Sequence, residues 1–135
     1  MSTLQDFLNA NPVDDLTEEV VVSDRFKDKE GNALKFKIKV MTNAKFNELR
    51  RRATKQKGRK IEFDPNAFQL GIVIEHTLEP DFKNAESLQK LGCMNPEQYV
   101  EKVLLPGEIV ELASQIQKLS GFDVEMEELV EEVKN

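Results

Sequence analysis

Tryptophan is missing from this chain, and cysteine, histidine and tyrosine each occur once among its 135 residues. A lone Cys93 excludes an internal disulfide, and its neighbours Gly92 and Met94 give no metal-ligand spacing, so a small apolar filler is the expected role. A lone His76 has no second imidazole and no paired nucleophile in view. That favours a helix-end histidine satisfied by a carbonyl or water over a zinc ligand or triad member. The glycines never cluster, so there is no phosphate-binding loop. No apolar run approaches the roughly 20 residues of a membrane span. The opening MSTLQDFLNANP has neither the basic start nor the long apolar stretch of a signal peptide. Carboxylates are plentiful but lie in charge runs with no pocket-forming signal, so none is assigned to acid–base work. The expectation is a cytoplasmic, non-enzymatic protein with no catalytic residue, no cofactor, no metal and no membrane association.

Charged residues make up 33% of the chain and hydrophobic ones 39%, with a net charge of −6. This fits one domain with a modest core, and the negative balance argues against nucleic acid as the main partner. Residues 1–17 read as an arm: Ser2 or Thr3 caps a short helix bearing Leu4, Phe7 and Leu8, which Asn9 to Asp15 break. Docking of that arm on its own core is favoured over docking on another subunit. Residues 18–135 read as a single α+β domain. Glu19–Ser23 and Leu34–Val40 form a hairpin around the turn Asp28–Asn32. Its second strand places Leu34, Phe36, Ile38 and Val40 on one face and Lys35, Lys37 and Lys39 on the other. Arg59–Phe63 suggests a third short strand. Thr42 caps a helix from Asn43 to Thr54, and Asp64-Pro65 opens a helix that is apolar nearly all round and ends at Pro80. Gly71 within it predicts a close helix crossing. Short helices follow over Asn84–Gly92 and Pro96–Leu104. The expected architecture is an antiparallel hairpin or three-stranded sheet packed on a mainly helical C-terminal bundle.

The last third carries the clearest helix signals. Pro106 starts a helix whose Ile109, Leu112, Ala113, Ile116 and Leu119 form one stripe, with Glu108 near its start and a stop at Gly121. Asp123 then caps an acidic amphipathic segment, residues 122–135, with Met126, Leu129, Val130 and Val133 on one side. It either docks on its own domain or meets a partner. A basic run, Arg50, Arg51, Arg52, Lys55, Lys57, Arg59 and Lys60, is dense enough to contact phosphates, yet no aromatic interleaves with it to stack on bases. A solvated loop is the plainer reading. A third is attraction of the acidic segment Glu125–Glu132 of a neighbouring subunit, that is, self-association.

From Ile74 to Asp123 the sequence resembles the XkdN-like tail assembly chaperones of tailed phages and PBSX-type prophages. The residues that carry this are IEHTLEPDF (74–82), AESLQKLGCMNPEQYVEKVL (85–104) and LLPGEIVELASQIQKLSGFD (104–123). The resemblance implies a mixed α+β protein with no catalytic residues, working in the bacterial host cytoplasm. It implies a protein that binds the long, helix-rich tape measure protein during tail assembly, keeps it soluble and recruits tail tube protein. A programmed frameshift yields a longer product in many phages. The partner-binding candidates are Leu4, Phe7 and Leu8 in the arm and Met126, Leu129, Val130 and Val133 near the end. The alternatives are a structural tail or head-completion component of the particle, or a small nucleic-acid-binding regulator acting through residues 50–60.

Overall fold

The computed structural model describes residues 2–122. In chain order they form α1 (Thr3–Ala10), β1 (Thr17–Val20), β2 (Phe36–Lys39), α2 (Asn43–Arg52), β3 (Thr54–Lys57), β4 (Lys60–Phe63), α3 (Pro65–His76), β5 (Thr77–Glu79), α4 (Ala85–Lys90), α5 (Pro96–Val103) and α6 (Pro106–Leu119). The expected α+β class holds, with an antiparallel sheet followed by helices. The segment assigned to a helix capped by Asp123 lies outside the described residues.

β2 is the middle of a three-stranded antiparallel sheet in the order β1-β2-β5. Val20 faces Phe36 and Thr17 faces Lys39 across the first ladder. The alternation read from the sequence is seen in Phe36, Ile38 and Val40, all buried, while Leu34 lies outside the strand and is exposed. β1 begins at Thr17, inside the stretch read as arm, and ends at Val20 rather than Ser23. The turn forms as expected: Asp28 Oδ1 accepts from the Glu30 and Asn32 amides, each at 2.9 Å.

Two strands differ from expectation. Lys60–Phe63 is a strand, but it pairs with β3 in a separate two-stranded sheet. Thr54–Lys57, which the sequence suggests as a helix end and loop, is also a strand. All four of its residues are exposed, so its strand rests on backbone pairing and on Gly58, whose φ of +63° supplies the left-handed step of a two-residue turn. The third strand of the main sheet is instead β5. The helix through residue 76 does not run on to Pro80; it stops where β2 offers a free edge to Thr77–Glu79. Two side chains finish it. His76 Nδ1 donates to the Ile72 carbonyl at 2.8 Å, and Thr77 Oγ1 donates to the Val73 carbonyl at 2.7 Å. Both bonds bind side chains back onto the last turn of the helix.

α3 is the central helix, as its all-round apolarity predicts. Asp64 caps it through the Ala67 amide, and Pro65 occupies its first turn. Its buried Ile72, Val73 and Ile74 meet Leu112, Ala113 and Ile116 of α6 in one core with Ile38 of β2. A Cβ on Gly71 would come within 2.9 Å of Leu49 Cδ2. The glycine thus lets α2 and α3 cross closely. Ser120 Oγ accepts from the Met41 amide at 2.8 Å, tying the end of α6 to the exit of β2.

Candidate interaction surfaces

α1 is a finished helix that buries none of its residues. Ser2 Oγ accepts from the Gln5 amide at 3.0 Å, and Asn11 Nδ2 donates to the Phe7 carbonyl at 2.9 Å. Both ends are therefore capped, but no residue of the helix is buried. Leu4, Phe7 and Leu8, at the i, i+3, i+4 spacing of one face, are 66%, 61% and 55% exposed. This corrects the expectation that the arm docks on its own core. No α1 residue belongs to the hydrophobic core, which the main sheet and α2, α3, α5 and α6 supply. Val13 and Leu16, also exposed, line a shallow hollow together with Phe7. An isolated helix shorter than about 12 residues is marginal in water, so a covering partner would stabilise this eight-residue one.

A second apolar surface was not foreseen. Phe26, Leu34, Phe36, Pro80, Phe82, Tyr99 and Val103 line an open groove of about 370 Å³ between the sheet edge and α5. Its floor is Phe36 and Phe82, both buried. Residues from four separate stretches build it, so no local pattern announces it.

The basic run does not form a single patch. Arg50 and Arg51 on α2 face a groove shared with Thr54, Gln56 and Ile61 of the hairpin. Arg52 turns the other way and lies 3.7 Å from Glu75 of α3, which Lys83 also binds at 2.7 Å. Cross-strand partners share a face, so the pairing of Gln56 with Ile61 and Lys55 with Glu62 puts Lys55 and Lys57 on the opposite side of the hairpin. Lys57 pairs with Glu62 there at 3.4 Å. The expected solvated loop is thus an exposed β-hairpin. An aromatic row flanks it: Phe122 meets Phe46, Phe46 meets Phe68, and Phe68 meets Phe63, with centroid separations of 5.3, 5.7 and 5.5 Å.

The strongest electrostatic contact is structural. Arg25, in the loop after β1, grips Glu108 of α6 with Nε at 3.0 Å and Nη2 at 2.7 Å, and Nη2 also donates to the Val103 carbonyl at 2.9 Å. The Leu105 amide donates to the same carboxylate at 2.7 Å. Glu108 is buried, and the Arg25 hydrogen bonds hold its carboxyl down at a pKa of about 2. The sequence shows Glu108 only as a helix-start acid; its partner, 83 positions away, leaves no local signal. Burial pushes His76 below the ordinary histidine value; with its Nδ1 already donating to Ile72, it is a cap inside the fold. Among the described residues no group of three or more His, Cys, Asp or Glu side chains is placed to hold a metal ion, and no helix is long and apolar enough to cross a membrane.

Among the described residues the structure presents exposed apolar faces and capped helices. The family described as phage XkdN-like tail assembly chaperone protein matches residues 4–134. The chain belongs to this family. It is 34% identical over 123 residues to YqbN of Bacillus subtilis (strain 168), spanning 87% of this chain and 83% of YqbN. It is 32% identical to the phage-like element PBSX protein XkdN of the same organism, with the same coverage. The crystal structure of YqbN matches the fold with a TM-score of 0.73 at 30% identity, covering 91% of this chain and 99% of YqbN's. The resemblance read from residues 74–123 therefore extends over nearly the whole chain, and the family is one of chaperone-type phage proteins.

Proposed function

We propose that this family member acts by binding alone, in the host cytoplasm, holding amphipathic helices of the tape measure protein in soluble form while a phage tail is assembled. The observation that carries this reading is α1, whose Leu4, Phe7 and Leu8 face water although both helix ends are capped. Fully burying a Leu or Phe side chain stabilises by about 1.5–3 kcal/mol. Three half-exposed ones on a client would supply several kcal/mol before ordering costs. The Phe36–Phe82 groove offers a second seat for an apolar helix face. The acidic surplus of the chain keeps such a complex soluble. Recruitment of tail tube protein would follow from the client complex.

Co-expression with the tape measure protein of the same phage or prophage tests this. The expected result is a larger soluble fraction of that protein and a complex that co-purifies at low salt. Two folded proteins that do not associate would overturn the reading. Recovery of this chain from purified particles by mass spectrometry would instead assign it to the tail or head structure.

A further inference from the structure

Residues 50–60 carry seven Lys and Arg with no acid, whereas residues 123–135 carry six Asp and Glu with one Lys. Arg50, Arg51, Lys55, Arg59 and Lys60 form no ion pair with any described residue. Two further observations connect the segments. The described chain ends with Phe122 against Phe46, at 5.3 Å between centroids, and the Arg50 guanidinium lies 5.6 Å from the same Phe46 ring. The last described residue thus lies one aromatic ring away from the basic face. That face also contains an exposed apolar side chain: Ile61, 74% exposed, beside Arg50, Arg51 and Gln56 in one groove. The segment carries the complement to both, since Val124, Met126, Leu129, Val130 and Val133 are interspersed among its acids.

We propose that residues 123–135 dock on the groove between α2 and the β3–β4 hairpin of their own chain. Their carboxylates face Arg50 and Arg51, and their apolar side chains cover Ile61. Reach is not limiting: thirteen residues span roughly 45 Å when extended, against about 13 Å for a four-residue strand. The own chain is favoured over a second copy because the segment starts beside the groove, so its local concentration there reaches about the millimolar range without assembly. The interaction would shield the most cationic surface of an otherwise acidic protein.

A nitroxide on Val130→Cys, in a Cys93→Ser background of the full chain, tests the proposal. With the ¹⁵N-labelled, spin-labelled chain diluted in unlabelled protein, the Gln56 and Ile61 amide signals should lose more than half their intensity. They should recover at 0.5 M salt, where the screening length falls to about 4 Å. They should recover likewise in Arg50→Glu/Arg51→Glu, or, if that variant does not fold, in Glu127→Gln/Glu128→Gln/Glu131→Gln. Undiminished hairpin signals would overturn the proposal. So would broadening that passes to a ¹⁵N chain lacking the label, which would place the segment on another copy, and so would broadening that salt leaves unchanged.

Discussion

Replacing Arg25 with alanine isolates the contact that ties the first strand's exit to the start of α6. The substitution removes two hydrogen bonds to Glu108, at 3.0 and 2.7 Å, and one to the Val103 carbonyl. A hydrogen bond to a charged group contributes about 1.5–3 kcal/mol when protected. The Arg25 side chain is 49% exposed, so water competes on its side and the sum is discounted. Glu108 also keeps the Leu105 amide. The expected result at pH 7 is a lower Tm for Arg25→Ala, by a few degrees in a domain of this size. The pH dependence identifies the cause. Glu108 has a folded pKa of about 2 against an ordinary 4.5, so its contribution is complete above pH 4.5 and is lost as pH falls toward 2. Without Arg25 that contribution is largely gone at every pH. The gap between wild type and Arg25→Ala, followed by circular dichroism melts, should therefore shrink at pH 3 to less than half its value at pH 7. A remainder persists, because Arg25 also stacks on Phe26 at 4.6 Å. An equal gap at both pH values would refute the assignment to the Glu108 carboxylate.

Leu4→Asp/Phe7→Asp should leave stability unchanged to within about 0.5 kcal/mol, since neither side chain is buried, while weakening client binding at least tenfold by titration calorimetry. Gly71→Val should destabilise by about 2 kcal/mol in urea melts, because its Cβ alone would sit 2.9 Å from Leu49 Cδ2. His76 is held neutral by burial below its ordinary value of 6.5. The unfolded chain therefore binds the extra proton first, and stability should decline as pH falls below about 6.5; His76→Gln should flatten that slope in melts taken from pH 7.5 to 5.5.

Signals confined to one element were legible in the sequence. Asp64-Pro65 announced the start of α3, the apolar stripe announced α6, and Gly71 announced a close crossing. What depended on distant partners was not. β5 reads as the tail of a helix until the open edge of β2 is known to lie beside it. β3 has no buried residue and so no alternation to detect. Its lysines obscured a hairpin whose one local sign was Gly58. Arg25 is an ordinary loop cation until the fold brings Glu108 to it. Of the surfaces, the apolar face of α1 was visible from spacing alone, but its exposure was not, because exposure depends on how the other described elements are arranged. The Phe36–Phe82 groove joins four stretches and had no sequence signature. Residues 50–60 were visible as charge but not as a structure with two faces.

The central claim is that α1 is a client-binding helix. Its most direct test is the affinity of the purified full chain for purified tape measure protein, measured beside that of Leu4→Asp/Phe7→Asp with matched melting temperatures. Measurable binding by the wild type, lost at least tenfold in the variant, is the predicted result. Equal affinities for two equally stable proteins would contradict it.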